Sequence, residues 1–185
     1  MSAAATPTEP ADRARALRQL IAGDWPGRAS GLALREEVES DLPLLRELYA
    51  STRAEELARS GWTEAQQQAF IDQQFTAQRS QYRQHYTGAA FLLIEREGAG
   101  IGRIYLHWGR EELRLMEITL LPAQRGQGIA RVLLQQLIEW TQARRLPITL
   151  HVEPFNPAHA WYQRLGFRTL EVRGVYHFMR RDPQP

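Results

Sequence analysis

The chain has 185 residues, of which 43% are hydrophobic and 24% charged, as in an ordinary globular protein with one domain. The formal net charge is only +2, and all 23 basic residues are arginines spread among 21 acidic residues, so no basic stripe for nucleic acid is expected. The absence of cysteine excludes disulfides, thiolate metal sites and cysteine nucleophiles.

Residues 1–30 differ in composition from the rest, with prominent alanine, proline and arginine. We expect a flexible or loosely docked extension at 1–30, an ordered domain at 31–181 and a short tail at 182–185. No apolar run approaches the roughly 18 residues of a membrane span, and the first residues lack the apolar core of a secretory signal. We therefore expect no membrane partner and a cytoplasmic location.

The domain is predicted to begin with a short strand and two helices. Leu32, Leu34 and Val38 show the partial alternation of a strand. Residues 40–43 predict a helix start, with a capping side chain and a proline in the first turn. Residues 63–66 have the form of a capping box, which predicts a second, long polar helix.

Three strands are then predicted at 89–95, 101–108 and 113–121, and their short connections indicate an antiparallel meander. A helix at 130–143 follows, because five apolar residues recur there at spacings of three and four: Ala130, Leu133, Leu134, Leu137 and Ile138. A strand at 148–152 completes a strand–helix–strand unit, which implies a parallel, right-handed crossover.

A short helix at 158–165 and two strands at 168–172 and 175–181 complete the predicted order. The two strands surround a turn at Arg173 and Gly174.

The turn before the helix at 130–143 is the most informative segment. It consists of Arg125, Gly126, Gln127, Gly128, Ile129 and Ala130. A glycine-rich turn that leads into a helix offers backbone N–H groups and the positive end of the helix dipole, which together suit a diphosphate. Gly126 and Gly128 place no Cβ between backbone and ligand, and Arg125 adds a charged contact. A tight turn without a ligand is the alternative.

Together with two later motifs, this order of elements resembles the GNAT superfamily of acyl-CoA-dependent N-acetyltransferases. The motifs are Asn156-Pro157-Ala158 and Tyr162-Gln163-Arg164-Leu165-Gly166-Phe167, and the likeness covers residues 31–181. The resemblance implies a mixed α/β fold, with a mostly antiparallel sheet of about seven strands, one parallel central pair and about four flanking helices. It also implies that acetyl-CoA binds in a V-shaped opening between the parallel strands, where the strand before the loop carries a bulge.

The resemblance implies contacts with acetyl-CoA along the end of that strand and in the loop. Pro122 cannot donate to a ladder, so pairing should stop near Leu121 and leave backbone groups for the extended pantetheine arm. The expected cofactor-binding residues are Ile118, Thr119, Leu120, Leu121, Arg125, Gly126, Gln127, Gly128, Ile129, Ala130, Arg131 and Asn156.

Tyr162 occupies the position of the general acid in the family. A phenol held within hydrogen-bond reach can protonate the departing coenzyme A thiolate. Packing or cofactor contact alone is the alternative, because Ala158, Trp161, Tyr162 and Leu165 form an apolar stripe at helical spacing.

Glu117 is the first candidate for the general base. Strand alternation places Glu117, Thr119 and Leu121 on one face, from which Glu117 could act through a water. A surface glutamate without a catalytic role is the alternative. His151 and Glu153 are the second candidates.

The acceptor site is less defined by the sequence. Glu55 and Glu56 could attract a cationic amine, Trp62 could stack on it, and His107 could line the cleft. A solvated helix end and a packed tryptophan are the alternative. The other histidines have no ligand spacing, so we expect no metal.

The resulting hypothesis is an enzyme that transfers acetyl from acetyl-CoA to a primary amine by direct attack in a ternary complex. The lack of cysteine favours this route over an acyl-enzyme on a thiol. The acceptor would be a small-molecule amine or a peptide amine, and a homodimer is compatible with the resemblance. The alternative is a non-catalytic acyl-CoA-binding module with a sensory or scaffolding role. The antiparallel meander argues against a Rossmann-type dinucleotide binder.

Overall fold

One sheet forms the centre of the computed structural model, which describes residues 31–109 and 111–185. The predicted extension at 1–30 lies outside the described residues. The strands are β1 (Leu32–Glu36), β2 (Ala90–Arg96), β3 (Ala99–Trp108), β4 (Leu113–Leu120), β5 (Ile148–Val152), β6 (Arg168–Arg173) and β7 (Tyr176–Arg181). Their order in the sheet is β1-β2-β3-β4-β5-β7-β6.

Helices cover the sheet on two faces: α1 (Leu42–Ala58), α2 (Glu64–His85), α3 (Ile129–Ala143) and α4 (Ala158–Arg164). α1 and α2 bury a small apolar cluster on one face, which includes Leu48, Phe75 and Leu93. α3 and α4 bury the larger cluster on the other face. Because β4 and β5 are the only parallel neighbours in this seven-stranded sheet of the described chain, the predicted mixed α/β architecture is confirmed.

The parallel pair is short, and this determines the shape of the site. β5 pairs with β4 only from Leu113 to Leu115. β4 then carries a bulge at Met116, because Leu115 lies opposite Leu106 whereas Glu117 lies opposite Tyr105. Beyond the bulge β4 continues beside β3 alone, so an opening begins between β4 and β5. This is the bulge that the resemblance implies.

The apolar stripe of α3 is confirmed. Leu133, Leu134 and Leu137 are buried, whereas Ala130 and Ile138 are half-buried against the same cluster. Burial of this stripe fixes the axis of α3 relative to the sheet, and with it the position of the loop that begins the helix.

The two predicted helix starts have different outcomes. The capping box is confirmed: Thr63 Oγ1 accepts the Gln66 N–H at 3.3 Å, and Gln66 Oε1 accepts the Thr63 N–H at 2.9 Å. At α1 the proline in the first turn is confirmed, but the capping side chain is wrong. Asp41 Oδ2 accepts the Val38 N–H at 2.8 Å, and the Asp41 carboxylate pairs with Arg35.

The prediction that Val38 belongs to β1 is also wrong. β1 ends at Glu36, and Val38 is 52% exposed. Its N–H is bound by the Asp41 carboxylate rather than by β2, so the chain has already turned towards α1.

Within residues 31–109 and 111–185, no helix is both long and apolar enough to cross a membrane.

Candidate active site

The loop between β4 and α3 has a backbone conformation that favours glycine. Gly126 and Gly128 have φ angles of +73° and +80°, in the left-handed region. A Cβ added at either residue would have no heavy atom within 4 Å, so open space lies beside both. Gly128 is also the N-cap of α3, where the first backbone N–H groups lack partners within the helix. The segment therefore fits a diphosphate group, which needs N–H donors and a close approach to the backbone.

Arg125 connects this loop to β4 and α1. Its Nε donates to the Leu120 carbonyl at 3.0 Å, and its Nη2 donates to Ser51 Oγ at 2.7 Å. Two of the Arg125 donors are thus used to shape the loop, and Nη1 is the remaining guanidinium nitrogen for an anion.

A second arginine, Arg96 at the end of β2, also reaches the loop. Its Nη1 donates to Gln127 Oε1 at 2.8 Å. Arg131 is an exposed residue on the first turn of α3, and Ile129 is buried beneath it and anchors the helix start. The loop therefore lies among three arginines, of which the sequence identified two.

The end of β4 presents alternate residues to the opening. The Leu121 N–H donates to the Ile101 carbonyl of β3 at 3.0 Å. By alternation, the backbone groups of Thr119 also face β3, whereas those of Ile118 and Leu120 face the opening. Because Arg125 occupies the Leu120 carbonyl, the Ile118 backbone and the Leu120 N–H are the groups best placed for an extended ligand.

Tyr162 lies in α4, on the face of the sheet that α3 covers. It is 6% exposed, and its ring packs against Phe167 at 5.6 Å and Trp161 at 5.3 Å between centroids. Burial raises the pKa of Tyr162 to about 12. The phenol therefore keeps its proton at neutral pH.

Asn156 has a structural contact at the start of α4. Its side-chain Oδ1 accepts the Ala158 N–H at 2.9 Å, and its backbone N–H donates to the Glu153 carbonyl at 3.0 Å. The side-chain carbonyl is therefore already used, and the side-chain NH₂ is the group that remains for a cofactor.

Glu117 lies on the opposite face of the sheet, beneath α2. Its Oε1 accepts three hydrogen bonds, from Arg103 Nε at 2.8 Å, from Arg103 Nη2 at 2.6 Å and from Thr119 Oγ1 at 2.9 Å. Its Oε2 is buried and has no partner among the described residues. Burial by itself would lower the pKa of Arg103, but the charge of Glu117 raises it overall.

Aromatic rings from α2 and from the residue that follows it cover this region. Tyr82 packs edge-on against Tyr105 at 6.0 Å, and Tyr86 packs edge-on against His107 at 5.3 Å. Burial raises the pKa of Tyr82, and so does the charge of Glu117, which places the Tyr82 phenol within the electrostatic range of that carboxylate. His107 is half-buried under the C-terminal end of α2.

His151 lies on β5, on the same face of the sheet as Phe178 of β7. The two rings are 5.0 Å apart between centroids. Burial and the charges of Arg114 and Arg173 lower the pKa of His151. Its imidazole is therefore mostly neutral at neutral pH and able to accept a proton.

The three acceptor-site candidates near the end of α1 are not connected to these groups. Glu56 pairs with Arg53 at 3.3 Å, and Glu55 pairs with Arg59 at 3.5 Å. The Trp62 ring, which precedes α2, packs against the Phe70 ring of that helix. Within the described part of the chain, no hydrogen bond, ion pair or ring contact joins any of the three to Glu117 or Tyr162.

Sequence reasoning missed Arg103, Tyr105 and Tyr82. A signal for the first two is present in β3, where Arg103, Tyr105 and His107 alternate with the buried apolar residues Ile104, Leu106 and Trp108. That pattern indicates that the second face of the strand carries polar groups and is covered by another element of the fold. Which carboxylate they meet depends on strand register.

A glycine loop that fits a diphosphate, a neighbouring parallel pair that separates and a buried tyrosine agree with the expected acyl-CoA-dependent acyltransferase. The sequence profile of the Acetyltransferase (GNAT) family matches residues 46–167, well over half of the chain. The chain belongs to that family.

Solved structures with a similar fold have low sequence identity to the chain. PaiA N-acetyltransferase from Thermoplasma acidophilum, in complex with coenzyme A, is 18% identical with a TM-score of 0.62, covering 82% of this chain and 98% of that one. The ribosomal-protein-S18-alanine N-acetyltransferase from Escherichia coli is 18% identical with a TM-score of 0.56, covering 83% and 95%. An acetyltransferase from Thermus thermophilus is 18% identical with a TM-score of 0.60, covering 82% and 96%. A search of curated protein sequences found no significant match.

Family membership makes the chain an acetyltransferase that uses an acyl-CoA. In the ranges described, no three histidine, cysteine or acidic side chains are grouped so that they could hold a metal ion.

We predict that Gly128→Glu abolishes binding of coenzyme A, because it adds bulk and negative charge where the diphosphate is expected. Isothermal titration calorimetry with coenzyme A measures this. Gly88→Glu is the matched control: Gly88 has a φ of +79° and the same open space, but it lies between α2 and β2. Unchanged affinity in the Gly128 variant, or equal loss in both variants, would remove the loop from the binding site.

Proposed function

We propose that the protein is an N-acetyltransferase that moves the acetyl group of acetyl-CoA to a primary amine by direct attack in a ternary complex. The observation that carries the proposal is the half-buried carboxylate of Glu117, whose buried Oε2 has no partner among the described residues at the point where β4 leaves β5. An amine acceptor supplies the N–H donor that such an oxygen requires, directly or through one water.

The proposed roles balance protons across the reaction. The acceptor enters as an ammonium ion and gives one proton to Glu117 Oε2, which later releases it to solvent. The free amine then attacks the thioester carbonyl carbon, a C–N bond forms, and the nitrogen loses its second proton to solvent as the C–S bond breaks. Tyr162 donates its phenolic proton to the departing thiolate and recovers a proton from solvent, so the net reaction releases one proton.

Burial of Tyr162 has two opposing consequences for this role. A pKa of about 12 makes the phenol a weaker acid than free tyrosine. The same apolar surroundings disfavour the charged thiolate and raise the pKa of its conjugate thiol. Because the phenolate and the thiolate are both disfavoured, proton transfer from Tyr162 to the thiolate is less uphill than the raised pKa of Tyr162 alone indicates.

The general base has two candidates on the same face of the sheet. Glu117 is the first, because its Oε2 is buried and has no partner among the described residues. His151 is the second, because its lowered pKa keeps the imidazole in the neutral form that accepts protons. We propose Glu117, because it lies on β4 directly after the bulge at which the opening begins.

A second candidate function is a non-catalytic acyl-CoA-binding module with a sensory or scaffolding role. One observation favours it: Glu117 already has an ion pair with Arg103, as a purely structural carboxylate would. Turnover distinguishes the two functions.

The proposed acceptor is a small-molecule amine or a peptide amine. The Escherichia coli neighbour is named for an alanine of ribosomal protein S18, which supports the inclusion of peptide amines in a screen. The cytoplasmic location and the homodimer stay predictions.

We predict that the purified protein releases coenzyme A from acetyl-CoA when a suitable amine is added. The panel consists of spermidine, an aminoglycoside, free amino acids, a peptide with an N-terminal alanine and a peptide with an internal lysine. A thiol-reactive chromophore measures release, and mass spectrometry of the acceptor shows a gain of one acetyl group. Tight binding of acetyl-CoA without turnover on any amine would favour the non-catalytic module.

We predict that Tyr162→Phe lowers kcat by about 100-fold, because the thiolate then departs without a proton donor. The affinity for coenzyme A should change by less than about threefold, since the ring still packs against Phe167. Tyr49→Phe removes the hydroxyl of another buried tyrosine, in α1, and is the matched control. Equal kcat for the wild type and Tyr162→Phe would exclude the acid role.

We predict that Glu117→Gln lowers kcat/KM by about 100-fold or more, because an amide cannot accept the proton of the amine. His151→Gln should have a much smaller effect. Glu95→Gln is the matched control, since Glu95 is also a strand glutamate paired with an arginine, at 2.7 Å from Arg35. Initial rates with the best amine of the panel measure all three. The reverse order of effects would assign the base to His151.

A further inference from the structure

Arg103 is buried more completely than any other charged residue that the structure describes, with 1% of its surface exposed. It lies on β3, two residue pairs away from Glu117 in the register between β3 and β4, and it points towards α2. A buried arginine needs a reason, because removing a guanidinium from water is unfavourable unless its donors are well used.

The two nitrogens that Arg103 gives to Glu117 converge on one oxygen. Nε at 2.8 Å and Nη2 at 2.6 Å both donate to Oε1, and Thr119 Oγ1 donates to the same atom at 2.9 Å. A pair that serves stability alone is expected to be bidentate, with one N–H for each oxygen, because that arrangement satisfies both. Here Oε2 is left without a partner, although it is buried.

We propose that Arg103 is a positioning residue for proton transfer: it fixes Oε1 of Glu117 and so presents Oε2 to the acceptor amine. This inference rests on the proposed function, because it assumes that Glu117 is the base. It gives the two oxygens of Glu117 different roles: Oε1 is held in place and Oε2 accepts the proton. The residue that holds Oε1 does not itself contact the substrate.

The guanidinium is itself held in orientation from two sides. Its Nη2 also donates to Gln78 Oε1 of α2 at 3.1 Å, and its Nη1 lies 3.5 Å from the Tyr105 hydroxyl. That hydroxyl donates in turn to Glu37 Oε2 at 2.7 Å. Because these contacts use the planar fork of arginine, lysine could replace the charge but not the geometry.

Arg103 also has an electrostatic effect on the base. A cation beside a buried carboxylate favours the ionised form, which is the form that accepts a proton. Lysine would keep this charge while losing the planar fork, so Arg103→Lys separates the electrostatic effect from the geometric one.

The test compares Arg103→Gln and Arg103→Lys with Glu117→Gln, using the best amine of the panel. Arg103→Gln should lower kcat by about 100-fold, close to the effect of Glu117→Gln, while the Kd for coenzyme A changes by less than about twofold. Arg103→Lys, which restores the charge alone, should lose about tenfold. The double variant that combines Arg103→Gln with Glu117→Gln should be no slower than Glu117→Gln alone, because the carboxylate that Arg103 orients is already absent.

The split between kcat and coenzyme A affinity supplies a readout that a purely structural role would not produce, because a loosened sheet would weaken both quantities. Arg35→Gln is the matched control: it breaks an arginine bound to two carboxylates, Asp41 and Glu95, away from β4, and it should leave both quantities close to those of the wild type.

Several outcomes would overturn the inference. If Arg103→Gln loses stability but keeps the wild-type kcat, the pair is structural. If the losses of kcat caused by Arg103→Gln and Glu117→Gln multiply in the double variant, Arg103 acts independently of Glu117. If Arg103→Gln does not fold, Arg103→Lys and Thr119→Val, which removes the third donor to Oε1, must both lower kcat at unchanged coenzyme A affinity, or the inference fails.

The failure of the proposed function is recognised separately. A wild-type protein that acetylates no amine contradicts the proposed function itself. A wild type that turns over, together with a fully active Glu117→Gln, removes the base and Arg103 with it. A wild type that turns over and an impaired Glu117→Gln leave only the positioning role in question.

Discussion

The separation of β4 from β5 is the constraint on which the rest of the site depends. Three residues of each strand pair in parallel, and the bulge at Met116 then turns β4 away from its neighbour. From that point β4 has one strand partner, and its other edge is available to an extended ligand. The glycine loop follows directly. The edge of β4 that would bind the pantetheine arm of acetyl-CoA therefore leads to the turn that would bind its diphosphate.

The two faces of the sheet contribute different chemistry at this opening. The face covered by α3 and α4 is apolar and contains the Tyr162 phenol, whose proton is retained because burial disfavours the phenolate. The face under α2 contains a buried ion pair between Arg103 and Glu117, extended through Tyr105 to Glu37. Buried ion pairs are weak contributors to stability, which supports the proposed positioning role of Arg103.

Much of the fold was predictable because its elements are locally consistent. β5 was predicted with its observed bounds, and the three antiparallel strands before it were predicted to within two residues at each end. The apolar periodicity of α3 is equally local. The errors at Val38 and Asp41 are linked, because the Asp41 carboxylate accepts the Val38 N–H instead of capping α1. The same carboxylate pairs with Arg35 of β1, a contact that no local propensity describes.

The sequence by itself determined the loop and the end of β4. Gly126 and Gly128 are required where φ is positive, and Pro122 cannot continue a ladder, so each residue type carries its own constraint. Tertiary structure alone decided that Glu117 meets Arg103 through one oxygen, that Arg96 reaches the loop, and that Tyr162 is buried. These contacts join residues distant in the chain, and they depend on strand register and on how helices pack across the sheet, which no local pattern of residues encodes.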